Sequence, residues 1–156
     1  MQELNDTITK FLEKQGFVMV STLDEDGMIH CSAKGIVGIE KEGKVHIIDL
    51  YKAHTFSNLK NKPVISLTAI NERKFQGYTL KGTAEITERE KMGSHLIKKW
   101  EERVIQRISK RVVKSVQKYK GSNSHPESHF PPPKYLISVT VERIVDLAPK
   151  HLKKQA

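Results

Sequence analysis

Residues 17–70, FVMVSTLDEDGMIHCSAKGIVGIEKEGKVHIIDLYKAHTFSNLKNKPVISLTAI, decide the fold. Phe17 to Leu23 is rich in β-forming residues and runs into Asp24-Glu25-Asp26-Gly27, where Asp26-Gly27 is a hairpin signal. Met28 to Ile39 reads as a second, longer strand, whose Gly35 and Gly38 predict curvature or a close backbone approach. The turn Lys41-Glu42-Gly43 leads into a third strand, Val45 to Leu50. A short helix is predicted over about Ala53 to Lys60, stopping before Asn61-Lys62-Pro63, and Val64 to Ile70 is a fourth strand.

Outward from this stretch, Leu4, Ile8, Phe11 and Leu12 fall on one face at helical spacing, which predicts a helix over residues 2–15 capped by Gly16. After a charged loop, Asn71 to Lys74, strand five covers Gln76 to Ile86. There Tyr78, Leu80 and Ala84 alternate with Thr79, Lys81, Thr83 and Glu85. A long basic helix is predicted over residues 88–119, with Leu96, Trp100, Val104, Ile108, Val112 and Val116 recurring every four residues. Four exceeds the helical turn, so the stripe drifts, and the helix is expected to curve or to break near Ser109. The loop Gly121 to Pro133 follows, and Tyr135 to Val145 is a sixth strand. Six strands joined mostly by short turns, without βαβ units, imply a mainly β chain: an antiparallel barrel with an N-terminal helix and a long basic helix before the last strand. We read residues 1–156 as one domain, with a helical insertion at about 88–133.

A chain of 156 residues can bury a core without staples. No apolar run is long enough to span a bilayer, and the N-terminal MQELNDTITKFLEKQGF has no apolar signal region, so a cytoplasmic protein is expected. One cysteine, Cys31, gives neither a disulfide framework nor metal-site spacing. The net charge of +9 assists encounter with any anion without choosing among them. Its densest run, KKWEERVIQRISKRVVKSVQKYK, reads first as a solvated helix face and second as a nucleic-acid surface.

Two places could hold chemistry. After the third strand, a helix start carries Lys52, His54, Thr55 and Ser57. Unpaired amides, hydroxyls and a lysine make such a start a seat for a phosphate, although a hydroxyl there also serves as a simple cap. In the strand HCSAKG, Ser32 and Lys34 share one side, with Ala33 and Gly35 on the other. Small residues admit a flat ring, and Lys34 could reach a phosphate or simply point into water. His125 and His129 lie in a Pro-rich segment and give no metal constellation; no metal is expected.

The ordered set of these features resembles the pyridoxamine 5′-phosphate oxidase-like family of flavin-binding split barrels. The matching signs are a strand ending in D-x-D-G, a strand beginning near His30, the step S-N-L-K-N-K-P-V at Ser57–Val64, and K-G-T-A-E-I at Lys81–Ile86. The resemblance implies a six-stranded split β-barrel that binds FMN, as a homodimer with the flavin at the subunit seam. It implies that Ser32, Ala33, Lys34 and Gly35 line the ring and ribityl chain, and that Ile48 and Asp49 contact the flavin. His54 and Thr55, with Lys52, would hold the phosphate. Asn58 would lie nearby, and the segment around Gln76 would reach the polar edge of the ring.

The resemblance also implies an oxidoreductase with a small-molecule electron donor or acceptor of unknown identity, and it assigns no catalytic residue. His54 stands where many relatives have a basic residue, and the C-terminal VERIVDLAPKHLKKQA lacks the arginine and histidine expected for pyridoxamine phosphate oxidation. The rival readings are the same fold binding a deazaflavin or haem, and a basic nucleic-acid-binding module without redox activity.

Overall fold

The structure is a computed structural model that describes residues 1–116 and 130–151, with the backbone alone for 107–116. Six strands, β1 (Val18–Leu23), β2 (Ile29–Glu40), β3 (Lys44–Asp49), β4 (Val64–Asn71), β5 (Gln76–Glu88) and β6 (Tyr135–Asp146), form a mainly β, closed antiparallel barrel. Their order around it is β1-β2-β3-β6-β5-β4, with β4 closing back on β1. Alternation sorts the side chains. Val18, Val20 and Thr22 of β1 point inward, and Ile65, Leu67 and Ala69 of β4 do the same, which makes one continuous apolar interior.

Among the described residues three α-helices dress the barrel: α1 (Asp6–Glu13), α2 (His54–Asn61) and α3 (Ser94–Val116). The predicted first helix is shorter at both ends than its apolar spacing suggested. Asn5 caps α1 by accepting from the Ile8 amide at 2.9 Å, and Lys14 rather than Gly16 ends it. Ile8, Phe11 and Leu12 of α1 enter the main core. The long helix begins later than predicted, because Arg89–Lys91 form a 3-10 turn and Gly93 follows. It then runs without a break through Ser109 to Val116. Leu96 and Trp100 of its stripe pack with Met92 over Val37, Ile48 and Leu136, so α3 covers the outer face where β2, β3 and β6 meet. No helix among the described residues is long and apolar enough to cross a membrane.

Gly27 (φ 81°) and Gly43 (φ 108°) occupy the left-handed region that the two hairpin turns require. The register of β2 against β3 shifts between Ile36 and Gly38, the bulge that the β2 glycines foretold. A second shift, between Lys81 and Gly82, brings β6 so close that a Cβ on Gly82 would strike the Thr140 carbonyl. Gly82→Ala is therefore expected to destabilise the barrel by about 2 kcal/mol or more. Urea unfolding monitored by circular dichroism checks this, and an unchanged midpoint would contradict the close approach.

Candidate functional site

Pairing leaves β2 with one open edge. From Ile29 to Lys34 it bonds only to β1, and it meets β3 only from Gly35 onward. Here the sheet is split, and the chain leaving β3 passes through Leu50–Ala53 into α2. Inward-facing His30, Ser32 and Lys34 look toward that helix, while Cys31 and Ala33 are exposed on the opposite face.

The start of α2 has an unusual cap. Its N-cap residue is Ala53, which makes no side-chain cap hydrogen bond, so the first-turn amides carry the partial positive charge of the helix end without a local acceptor. Around it stand two hydroxyls and two imidazoles. The Ser32 and Thr55 hydroxyls are 3.1 Å apart, and the His30 and His54 rings lie 5.2 Å between centroids. Thr55 is buried and His54 exposed.

Beneath this corner lies a buried charge cluster. Asp49 Oδ2 is 2.5 Å from Lys34 Nζ and accepts from the Tyr135 hydroxyl at 2.5 Å. Oδ1 accepts from the Leu50 amide at 2.8 Å and the Tyr51 amide at 3.4 Å. Both oxygens are thus engaged, as a buried carboxylate requires. Burial first, and then the hydrogen bond to Asp49, push the Tyr135 phenol well above its ordinary 10.0. Tyr135 in turn meets Phe56 of α2 edge-on at 4.9 Å. Lys52 is drawn aside to Glu88 at 2.5 Å, and that contact holds the Glu88 carboxyl below its usual range.

The structure brings Ser32 to Thr55 and Lys34 to Asp49, and gathers Lys52 and His54 at the same turn. It disperses others. The Asn58 amide is buried and donates to the Thr22 hydroxyl at 3.0 Å. Ile48 packs its side chain beneath α3. Gln76 sits at the β4–β5 hairpin, in a hollow of about 380 Å³ with Ile70, Phe75 and Leu147. Tyr135 and His30 are the residues that sequence reasoning missed. His30 was legible from its parity with Ser32, whereas Tyr135 lies 86 residues from Asp49 and gives no local signal. His125 and His129 fall outside the described residues, and no cluster of potential metal ligands occurs among the described ones.

The model of the family described as pyridoxamine 5′-phosphate oxidase matches residues 4–147. The chain belongs to that family. Among solved structures, the barrel resembles HupZ of Group A Streptococcus at 17% identity and a TM-score of 0.63, over 93% of this chain and 94% of that one. It also resembles a Clostridium acetobutylicum protein related to general stress protein 26 of the pyridoxinephosphate oxidase family (18%, 0.55, 92% and 93%). An F420 reductase matches at 14% and 0.58, over 91% and 98%. At these identities the likeness establishes the fold. No curated protein matches the sequence.

Two outcomes follow from the Asp49 cluster. Asp49→Ala strands a nearly buried ammonium and should lower stability by about 3 kcal/mol, while Lys34→Met in the same chain should restore part of the loss. Chemical denaturation of the single and double variants measures both, and an additive further loss in the double variant would refute the pairing. The second concerns alkaline pH. Folding holds the Tyr135 proton above the pH where an unfolded tyrosine releases it, so this stability is present below pH 10.0 and lost as pH rises beyond it. Tyr135→Phe should therefore show a shallower decline in stability above that pH than the parent, measured as unfolding free energy across the alkaline range.

Proposed function

We propose that this chain binds FMN non-covalently at the split of the barrel and works as a flavin-dependent oxidoreductase with a small-molecule electron donor and acceptor. The observation that carries the reading is the start of α2. A helix N-terminus without a side-chain cap, flanked by Ser32, Thr55, His54 and His30, is a donor set matched to a phosphate monoester. The open β2 edge beside it offers unpaired backbone groups to the polar rim of a flat ring, and Ala33 and Gly35 leave room for its approach. When bound, FMN would supply the redox chemistry. The chain's residues do the rest: the α2 amides and hydroxyls hold the phosphate, and Asp49 keeps Lys34 as a fixed positive charge below the ring. Lys52 is paired with Glu88, which leaves the grip on the phosphate to the amides, hydroxyls and imidazoles.

A homodimer fits the same surface. The outer faces of β1, β2 and β4 expose Met19, Ile29, Val64 and Ile70 around the small side chains of Ser21, Cys31 and Ser66. A second copy laid on this face would bury that apolar area and bring the flavin to the seam. The F420 reductase match favours one rival, a deazaflavin in the same cleft. Because F420 and FMN absorb differently, a visible spectrum distinguishes them.

Titration of the purified protein with FMN should perturb the flavin spectrum and quench its fluorescence. His54→Ala should weaken FMN about tenfold while leaving riboflavin binding unchanged, because only the phosphate meets that corner. Failure to bind FMN, or equal losses for both ligands, would overturn the reading.

A further inference from the structure

We infer that the outer wall of the barrel carries a second binding site, for an elongated organic anion with an apolar body and a carboxylate or phosphate ester at one end. The inference stands apart from the flavin seat and would survive its failure. Strand pairing sets Cys31 opposite Ser21, Ser21 opposite Ser66, Ser66 opposite Lys81, and Lys81 opposite Arg143. These five residues therefore form one straight row across β2, β1, β4, β5 and β6, about 19 Å long at the usual strand spacing.

Along the part of this row from Ser21 to Arg143 runs a groove of about 490 Å³, flanked by Leu23, Ile29 and Val64 and ending at Lys81 and Arg143. Its volume is that of a small-molecule site. The occupant's chemistry follows from the walls: apolar side chains along the flank, hydroxyls of Ser21 and Ser66 in the floor, and two cations at one end.

The cations decide the sign of the ligand. Like charges directly opposed on neighbouring strands destabilise a sheet. Lys81 and Arg143 are so opposed, and among the described residues neither has a carboxylate within ion-pair distance. Glu142, the extra residue at the β5–β6 bulge, also lines the groove, but it accepts from the Thr83 hydroxyl at 3.3 Å instead of neutralising either cation. An anionic head group placed between Lys81 and Arg143 relieves their repulsion and gains charge-assisted hydrogen bonds from both. Ser21, Ser66, Ile29 and Val64 also belong to the face proposed above for a second copy, so in that dimer the groove lies at the seam.

The test uses 2-naphthyl phosphate and 2-naphthoate as probes, with 2-naphthol as the uncharged control, titrated into the full chain and followed by probe fluorescence. At least one of the two anions should bind, with 2-naphthol at least tenfold weaker; the tighter anion names the head group. Lys81→Gln with Arg143→Gln should weaken the anion at least tenfold and leave 2-naphthol unchanged, whereas His54→Ala should have no effect on any probe. Without ligand, each single variant should unfold at the parent's temperature or above it, because a repulsion has been removed. Three results would overturn the inference: equal anion binding by the parent and the double variant, loss of binding in His54→Ala instead, or a lowered melting temperature in either single variant.

Discussion

The carboxylate of Asp49 is the point on which the split depends. Where β2 and β3 part, the barrel loses a ladder and gains an opening, and something other than strand hydrogen bonds must hold the two sides in register. Asp49 does so from the last residue of β3. One oxygen binds Lys34 on β2 and Tyr135 on β6, and the other turns the chain through Leu50 and Tyr51 toward α2. Its backbone carbonyl also accepts the Lys134 amide at 2.9 Å, tying in the segment that leads to β6. A buried ion pair is an expensive fastener against a hydrophobic one. Its use here fits a corner that must stay open on one side, where apolar side chains would close the gap by packing across it.

Helix α2 is placed by this cluster and by contacts further along its length. Phe56 leans on the Tyr135 ring, Asn58 reaches Thr22 of β1, and Leu59 enters the main core. With its middle and far end fixed, the helix has no need of a side-chain cap for stability, and Ala53 supplies none. An aspartate or serine at that position would stabilise the helix by about 1 kcal/mol while covering the amides that the proposed phosphate seat uses. A missing cap on a well-anchored helix is thus a local concession that makes sense at a site.

Most of the fold was legible because strand and turn signals are local. The D-x-D-G and K-E-G turns, the alternation in β5 and the proline after α2 fixed all six strands to within a residue or two. The errors came where tertiary contacts override local pattern. Apolar spacing extended α1 toward Gly16, but Leu4 is buried in the core from an extended segment, its amide bonded to the Lys41 carbonyl. The four-residue stripe of α3 offered either a curve or a break near Ser109, and the helix runs through that residue without a break. At the site, parity showed that Ser32 and Lys34 share a face, yet parity carries no distance. Whether Lys34 pointed into water or to a carboxylate depended on Asp49 and Tyr135, and only the closed barrel brings those two together.

The net positive charge acquires meaning from which cations are occupied. At the split, Lys34 answers Asp49 and Lys52 answers Glu88, so the corner beside α2 carries little uncompensated lysine charge and relies on amides, hydroxyls and imidazoles. Lys81 and Arg143, on the outer wall, face each other without a carboxylate among the described residues. A sheet tolerates that arrangement at a cost, and neutral side chains would pack there equally well. The same chain therefore spends carboxylates where geometry must be held and withholds them where an incoming anion could supply the missing charge.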